Sequence, residues 1–163
     1  MNEYIGFSLL FTFLIFLLVI GIITEKRKRK IRSELIKRFQ FEKHNFIKKV
    51  ENKEYERKTE NGFEFVWINK NKDYLTLNIG INFIPTKEYQ RMKFIEYLKF
   101  GRKFDKKFKS EKYQLLGQNN PIITLELKIK KVNQIPGFYK VEEIFNNMLE
   151  ILRKEKLIKK MNQ

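Results

Sequence analysis

The distribution of apolar and polar positions divides the chain into an uninterrupted apolar run and a longer part in which the pattern is periodic. Residues 4–24, YIGFSLLFTFLIFLLVIGIIT, carry no charge, and Glu25 with the run Lys26, Arg27, Lys28, Arg29, Lys30 follows at once. A helix of that length rises about 30 Å, one hydrocarbon thickness, so the run predicts a single transmembrane anchor. From Ile31 the spacing Ile31, Leu35, Phe39, Phe46, Val50 recurs near every fourth residue and predicts a helix continuing out of the anchor, with no Gly or Pro between Ile22 and Gly62 to break it. Residues 51–60 are polar and read as the helix end or a first edge strand.

Asn61-Gly62 is a hairpin signal, because the tight turns that match strand twist need positive φ. The β-rich GFEFVWINK follows it. Beyond a polar turn at residues 69–73, Leu75, Leu77, Ile79 and Ile81 alternate with Thr76, Asn78, Gly80 and Asn82, the signature of a half-buried strand. Thr86 is the expected N-cap of a next helix carrying Phe94, Tyr97, Leu98, Phe104 and Phe108 on one side. A short strand is expected at residues 112–116. A second alternating strand has Ile123, Leu125, Leu127 and Ile129 on one face and Thr124, Glu126, Lys128 and Lys130 on the other. After Pro136-Gly137, a final amphipathic helix is expected from about Val141 to Lys160, with Glu142 and Glu143 in its first turn.

The expected fold is therefore α+β: an anchor (residues 1–30, with its basic collar) and one cytoplasmic domain (residues 31–163) with an antiparallel sheet and helices mainly on one face. YLTLNIGI (74–81) and IITLELKI (122–129) match in pattern and each precedes a proline and a helix, as a duplicated ββα unit would; chance alternation explains the match as well.

The order of charge and apolar run is the reverse of a secretory signal, and no small-residue cleavage site follows. The collar Lys26, Arg27, Lys28, Arg29, Lys30, Arg32 predicts, by the positive-inside rule, an N-terminus outside and a cytoplasmic domain, and it offers contacts to anionic headgroups. The net charge of +16 divides into −1 before Glu25, +5 over residues 25–32 and +12 over residues 33–163. That excess is spread along a chain rich in Lys, Asn, Ile and Phe and devoid of Ala, a compositional habit that makes it a weak argument for nucleic acid.

Candidate chemistry is sparse. The chain has no cysteine, which excludes disulfides and thiol chemistry, and a single histidine, His44, read as exposed on the first helix. No nucleophile elbow, phosphate-cradling loop or dinucleotide fingerprint occurs, so no catalytic residue, cofactor or metal is assigned. Two surfaces remain. Phe100, Arg102, Lys103, Phe104, Lys106, Lys107 and Phe108 form a basic-aromatic stretch suited to a membrane, a partner helix or single-stranded nucleic acid, or more simply core phenylalanines under a solvated face. Thr76, Asn78, Thr124 and Lys128 mark a sheet face left open if the helices share the other side; Phe63, Phe65 and Trp67 join it if they point outward. These features predict a membrane-tethered, non-catalytic module that binds an unidentified protein in a complex at the bilayer. The alternatives are a tethered nucleic-acid binder and, more distantly, an enzyme built on a carboxylate pair.

Overall fold

The computed structural model describes residues 2–51, 53–93, 95, 96, 99, 112–116 and 121–159, with backbone alone for 2–6 and 112–116. Helix α1 (Asn2–Phe39) runs without a break from the apolar segment into the domain. Its first half stands away from the rest of the chain, with Phe7, Leu10, Phe13 and Phe16 all more than half exposed. The helix is long and apolar enough to cross a membrane. Its second half is amphipathic. Ile31, Leu35 and Phe39 are each fully buried on the sheet, worth about 1.5–3 kcal/mol per side chain.

Strands β1 (Ile47–Val50), β2 (Glu54–Thr59), β3 (Gly62–Lys70), β4 (Leu75–Phe83), β5 (Lys112–Leu116) and β6 (Ile122–Ile129) form one antiparallel sheet in the order β1-β2-β3-β4-β6-β5. Helix α2 (Lys87–Arg91) follows β4, and α3 (Phe138–Lys154) closes the domain. The fold is α+β. Val66 and Ile68 of β3, Leu75, Leu77, Ile79 and Ile81 of β4, and Ile123, Leu125 and Ile129 of β6 share one core with α1 and with Val141, Ile144, Phe145, Met148 and Leu152 of α3. The two patterned octapeptides lie side by side, Leu75 opposite Ile129 and Ile81 opposite Ile123.

Several expectations change. The first soluble helix ends at Phe39, because Gln40 (φ 44°) and Asn45 (φ 62°) are left-handed and flank a 3-10 turn, Phe41–His44. Phe46 and Val50 continue the helical spacing only by coincidence: Phe46 is buried beyond the turn and Val50 ends β1. Residues 54–59 are an internal strand, and the edge is β1. In the β2–β3 hairpin the loop is Glu60-Asn61, Thr59 pairs with Gly62, and the positive φ (134°) is at the glycine alone. Helix α3 starts at Phe138, after an extended Gly137, so Glu142 and Glu143 lie in its second turn. It stops at Lys154, where Lys156 turns left-handed (φ 55°), Leu157 N–H donates to Leu152 O (2.9 Å) and Ile158 bridges to Pro85. Thr86 is the N-cap expected, its hydroxyl accepting from Tyr89 N–H at 3.3 Å.

Candidate membrane-facing surface

One helical turn beyond the apolar run, α1 is fastened to the β3–β4 hairpin. Glu25 accepts from Lys70 of β3 and from Lys28, 3.0 Å away on its own helix. These two hydrogen bonds, against a small opposing cost of burial, hold the Glu25 carboxyl down at about 2. The side chain is a third exposed, so solvent screens much of this attraction and the joint owes its definition to several contacts together. Lys28 makes the deeper contact. Only 8 % exposed, it sends its ammonium to the carbonyls of Asn71 (3.1 Å) and Lys72 (3.3 Å), and Arg27 Nη2 donates to Asp73 O at 3.2 Å. A loop has its carbonyls unpaired; a lysine with three donors answers two of them and the carboxylate at once.

The six collar residues therefore divide. Lys28 faces the domain. Arg32 is half-buried, with Nε lacking a partner among the described residues. Lys26, Arg27, Arg29 and Lys30 are exposed, Arg29 within 3.8 Å of Glu25. The hairpin brings Lys70 and Lys72 to the same end, both exposed. Because Leu75 pairs with Ile129, the chain leaving β6 emerges beside it with exposed Lys130 and Lys131.

The sheet face opposite the core is less open than its polar residues imply. Val66 and Ile68 are buried in the core, so Phe63, Phe65 and Trp67 do lie on the other face. Phe65 stacks on Trp67 (4.5 Å between centroids) and lies across Gly80, where a Cβ would come within 2.3 Å of its ring. Thr76 is corrected: at 2 % exposure it is covered, diagonal to Trp67 and within 3.5 Å of the Asn78 amide. Asn78 and Thr124 are half-buried, and Lys128 is exposed with its ammonium 5.4 Å from the Tyr74 ring. At 4 % exposure, Phe65 presents no ring face to a base. The stretch Phe100, Arg102, Lys103, Phe104, Lys106, Lys107, Phe108 lies outside the described residues.

A second ionic group, unforeseen from the sequence, sits under α3. Arg57 is held by Glu64 (2.7 Å from Nε, 2.6 Å from Nη2) and by both oxygens of Glu142 (2.8 and 2.7 Å), and donates to His44 O at 3.3 Å. Its guanidinium lies 4.8 Å from the Phe46 ring centre and 5.7 Å from that of Phe145. Burial pushes the Glu64 carboxyl up, and Arg57 only partly offsets it. For Arg57, burial works against the charge but the two glutamates prevail and raise it. Every guanidinium nitrogen has a partner, and the cluster reads as a clamp between β2, β3 and α3. His44 is corrected too: it belongs to the 3-10 turn and is half-buried, stacked on Phe138 at 3.7 Å.

Among the described residues no group of three or more metal-ligating side chains occurs. A depression of about 380 Å³ is lined by Ile36, Gln40, Phe41, Glu42, Lys43, Lys48 and Tyr55. No protein-family model matches the chain, and no curated protein is significantly similar to it in sequence.

Proposed function

We propose that the protein is a single-pass, membrane-tethered, non-catalytic module whose cytoplasmic α+β domain contributes to a protein complex at the bilayer. The observation that carries this reading is the joint: α1 is one helix from its exposed apolar half to Phe39, and Glu25, Arg27 and Lys28 fasten the β3–β4 hairpin to its middle. A helix shared in this way is suited to be retained, since Lys28, Ile31, Leu35 and Phe39 are integral to the domain. The exposed edge strand β1, with Ile47 67 % and Val50 42 % exposed, supplies unpaired backbone and apolar side chains for a protein partner.

Alkaline carbonate is expected to leave the chain in the membrane. A cysteine at Asn2 is expected to react with an impermeant reagent in intact cells and one at Asn162 to be protected. Release by carbonate refutes the span, and reversed labelling refutes the orientation. Pull-down from crosslinked membranes tests the complex, and recovery of the chain alone counts against it.

A further inference from the structure

We infer that the surface resting on anionic lipid headgroups is composite: Lys70 and Lys72 of the β3–β4 hairpin and Lys130 and Lys131 after β6 extend the collar laterally, so that the folded domain, and not the helix alone, lies against the leaflet. The inference rests on the proposed span. Its geometry follows from the joint. The apolar run ends at Thr24, and Glu25, Arg27 and Lys28 fall within the next turn, about 6 Å further along the axis. The headgroup layer is about 5–7 Å deep on each side of the hydrocarbon, so a loop hydrogen-bonded to Arg27 and Lys28 lies at its outer limit. The four lysines are far from the collar in sequence, and only the fold brings them there.

The joint also redistributes charge. Lys28 spends its ammonium on Glu25 and two carbonyls, Arg27 donates to Asp73 O, and Arg32 is turned partly inward, so of the six collar cations Lys26, Arg29 and Lys30 are left without a contact to the domain's loop. Lys70 is shared with Glu25, and the exposed Lys72, Lys130 and Lys131 restore what the domain removes. Among the described residues the acidic groups at this end of the sheet include Glu25, engaged by Lys28 and Lys70, the exposed Asp73, and, at the β1–β2 turn, Glu51, paired with Lys48, and Glu54. The surface stays strongly positive, the condition for attraction to phosphatidylserine or phosphoinositide leaflets. A polyanion such as nucleic acid is disfavoured as its occupant, because the span holds this end against the membrane.

The test uses the full chain in nanodiscs, with a nitroxide on Asn71→Cys, the chain having no other cysteine, and a control nitroxide on Gln90→Cys in α2 at the opposite end of β4. Headgroup-chelated nickel lipid reports proximity. The Asn71 label is expected to relax at least about two-fold more in discs containing phosphatidylserine than in phosphatidylcholine discs, and the increment to fade with salt. The Gln90 label is expected to stay silent. In Lys72→Glu/Lys130→Glu/Lys131→Glu the increment is expected to vanish while Trp67 emission is unchanged. Equal relaxation in both discs, or an increment that is insensitive to salt or survives the triple change, overturns the inference with the span intact. A chain that elutes apart from the disc overturns both.

Discussion

Replacing Arg57 by Met keeps most of the volume against Phe46 and Phe145 and removes the cation between two carboxylates. Glu64, 3 % exposed, is then a charge without a counterion, whereas Glu142, with its side chain 31 % exposed, can turn to water. Breaking a buried pair costs about 3–5 kcal/mol, and because one of the two glutamates escapes, the lower end applies, about 3 kcal/mol. For a domain of this size that is about 10 °C in Tm. The assay is thermal unfolding of the chain in nanodiscs, followed by Trp67 fluorescence and near-ultraviolet dichroism. Arg57→Met/Glu64→Leu is expected to recover most of the loss, since Glu64 shares its strand face with Val66 and Ile68 and an apolar replacement of a buried ion pair is nearly neutral.

The same variant has a pH signature. Burial already raises the Glu64 carboxyl above its ordinary value, and loss of Arg57 raises it further. A carboxyl whose folded value is raised contributes stability that is fully present below the unfolded value and is lost as pH rises through the folded one. The penalty of Arg57→Met, measured against the double variant at each pH, is therefore expected to shrink on going from about pH 7 to about pH 5. A single variant within about 1 kcal/mol of the parent, a double variant no better than the single, or a penalty that grows on acidification would refute the reasoning.

Gly80→Ala is expected to lower stability by about 2 kcal/mol or more, because the new methyl meets the Phe65 ring at 2.3 Å and Ile123 O at 2.6 Å; Phe65→Leu in the same chain relieves only the first clash. His44→Ala is expected to cost about 1 kcal/mol through the lost stack on Phe138, with no change in membrane attachment; a loss of attachment would assign the residue another role. Oligonucleotide binding by the chain in zwitterionic discs is expected to be weak, sequence-blind and absent near physiological salt; sub-micromolar binding that survives there and collapses in Lys103→Glu/Lys106→Glu/Lys107→Glu would favour nucleic acid as the partner.

The features legible in the sequence are those set by local periodicity against a single large environment. The apolar run, the Ile31, Leu35, Phe39 stripe, the alternation of β4 and β6, and the Thr86 cap depend on spacing alone. The end of α1 does not. Gln40 adopts left-handed geometry with no glycine to announce it, and IKKV of β1, exposed at every position, has no alternation to read. The Arg57 clamp joins residues 85 positions apart, so its membership is a property of the fold. One signal for it was present: Glu64 has the same strand parity as Val66 and Ile68, and a carboxylate on a core-facing row requires a cation. Within a run of five basic residues nothing distinguishes Lys28, whose burial is decided by a loop more than forty positions away.

On the proposed topology, the joint restricts which surfaces a partner can use. The β3–β4 hairpin and the end of β6 sit at the helix exit, so the Glu60-Asn61 turn, α2 and the bridge of Ile158 to Pro85 are at the far ends of strands about 30 Å long. The core-side face is filled by α1 and α3. A second membrane protein diffusing in the plane thus meets the domain from the side, where β1 presents a free edge with Ile47 and Val50 exposed. A photocrosslinker at Ile47 is expected to capture a membrane-embedded partner, and Ile47→Glu/Val50→Glu to abolish capture without lowering Tm, since neither side chain is buried. Capture from Gln90 but not from Ile47 would place the partner beyond the far end of the sheet and remove the edge strand from the account.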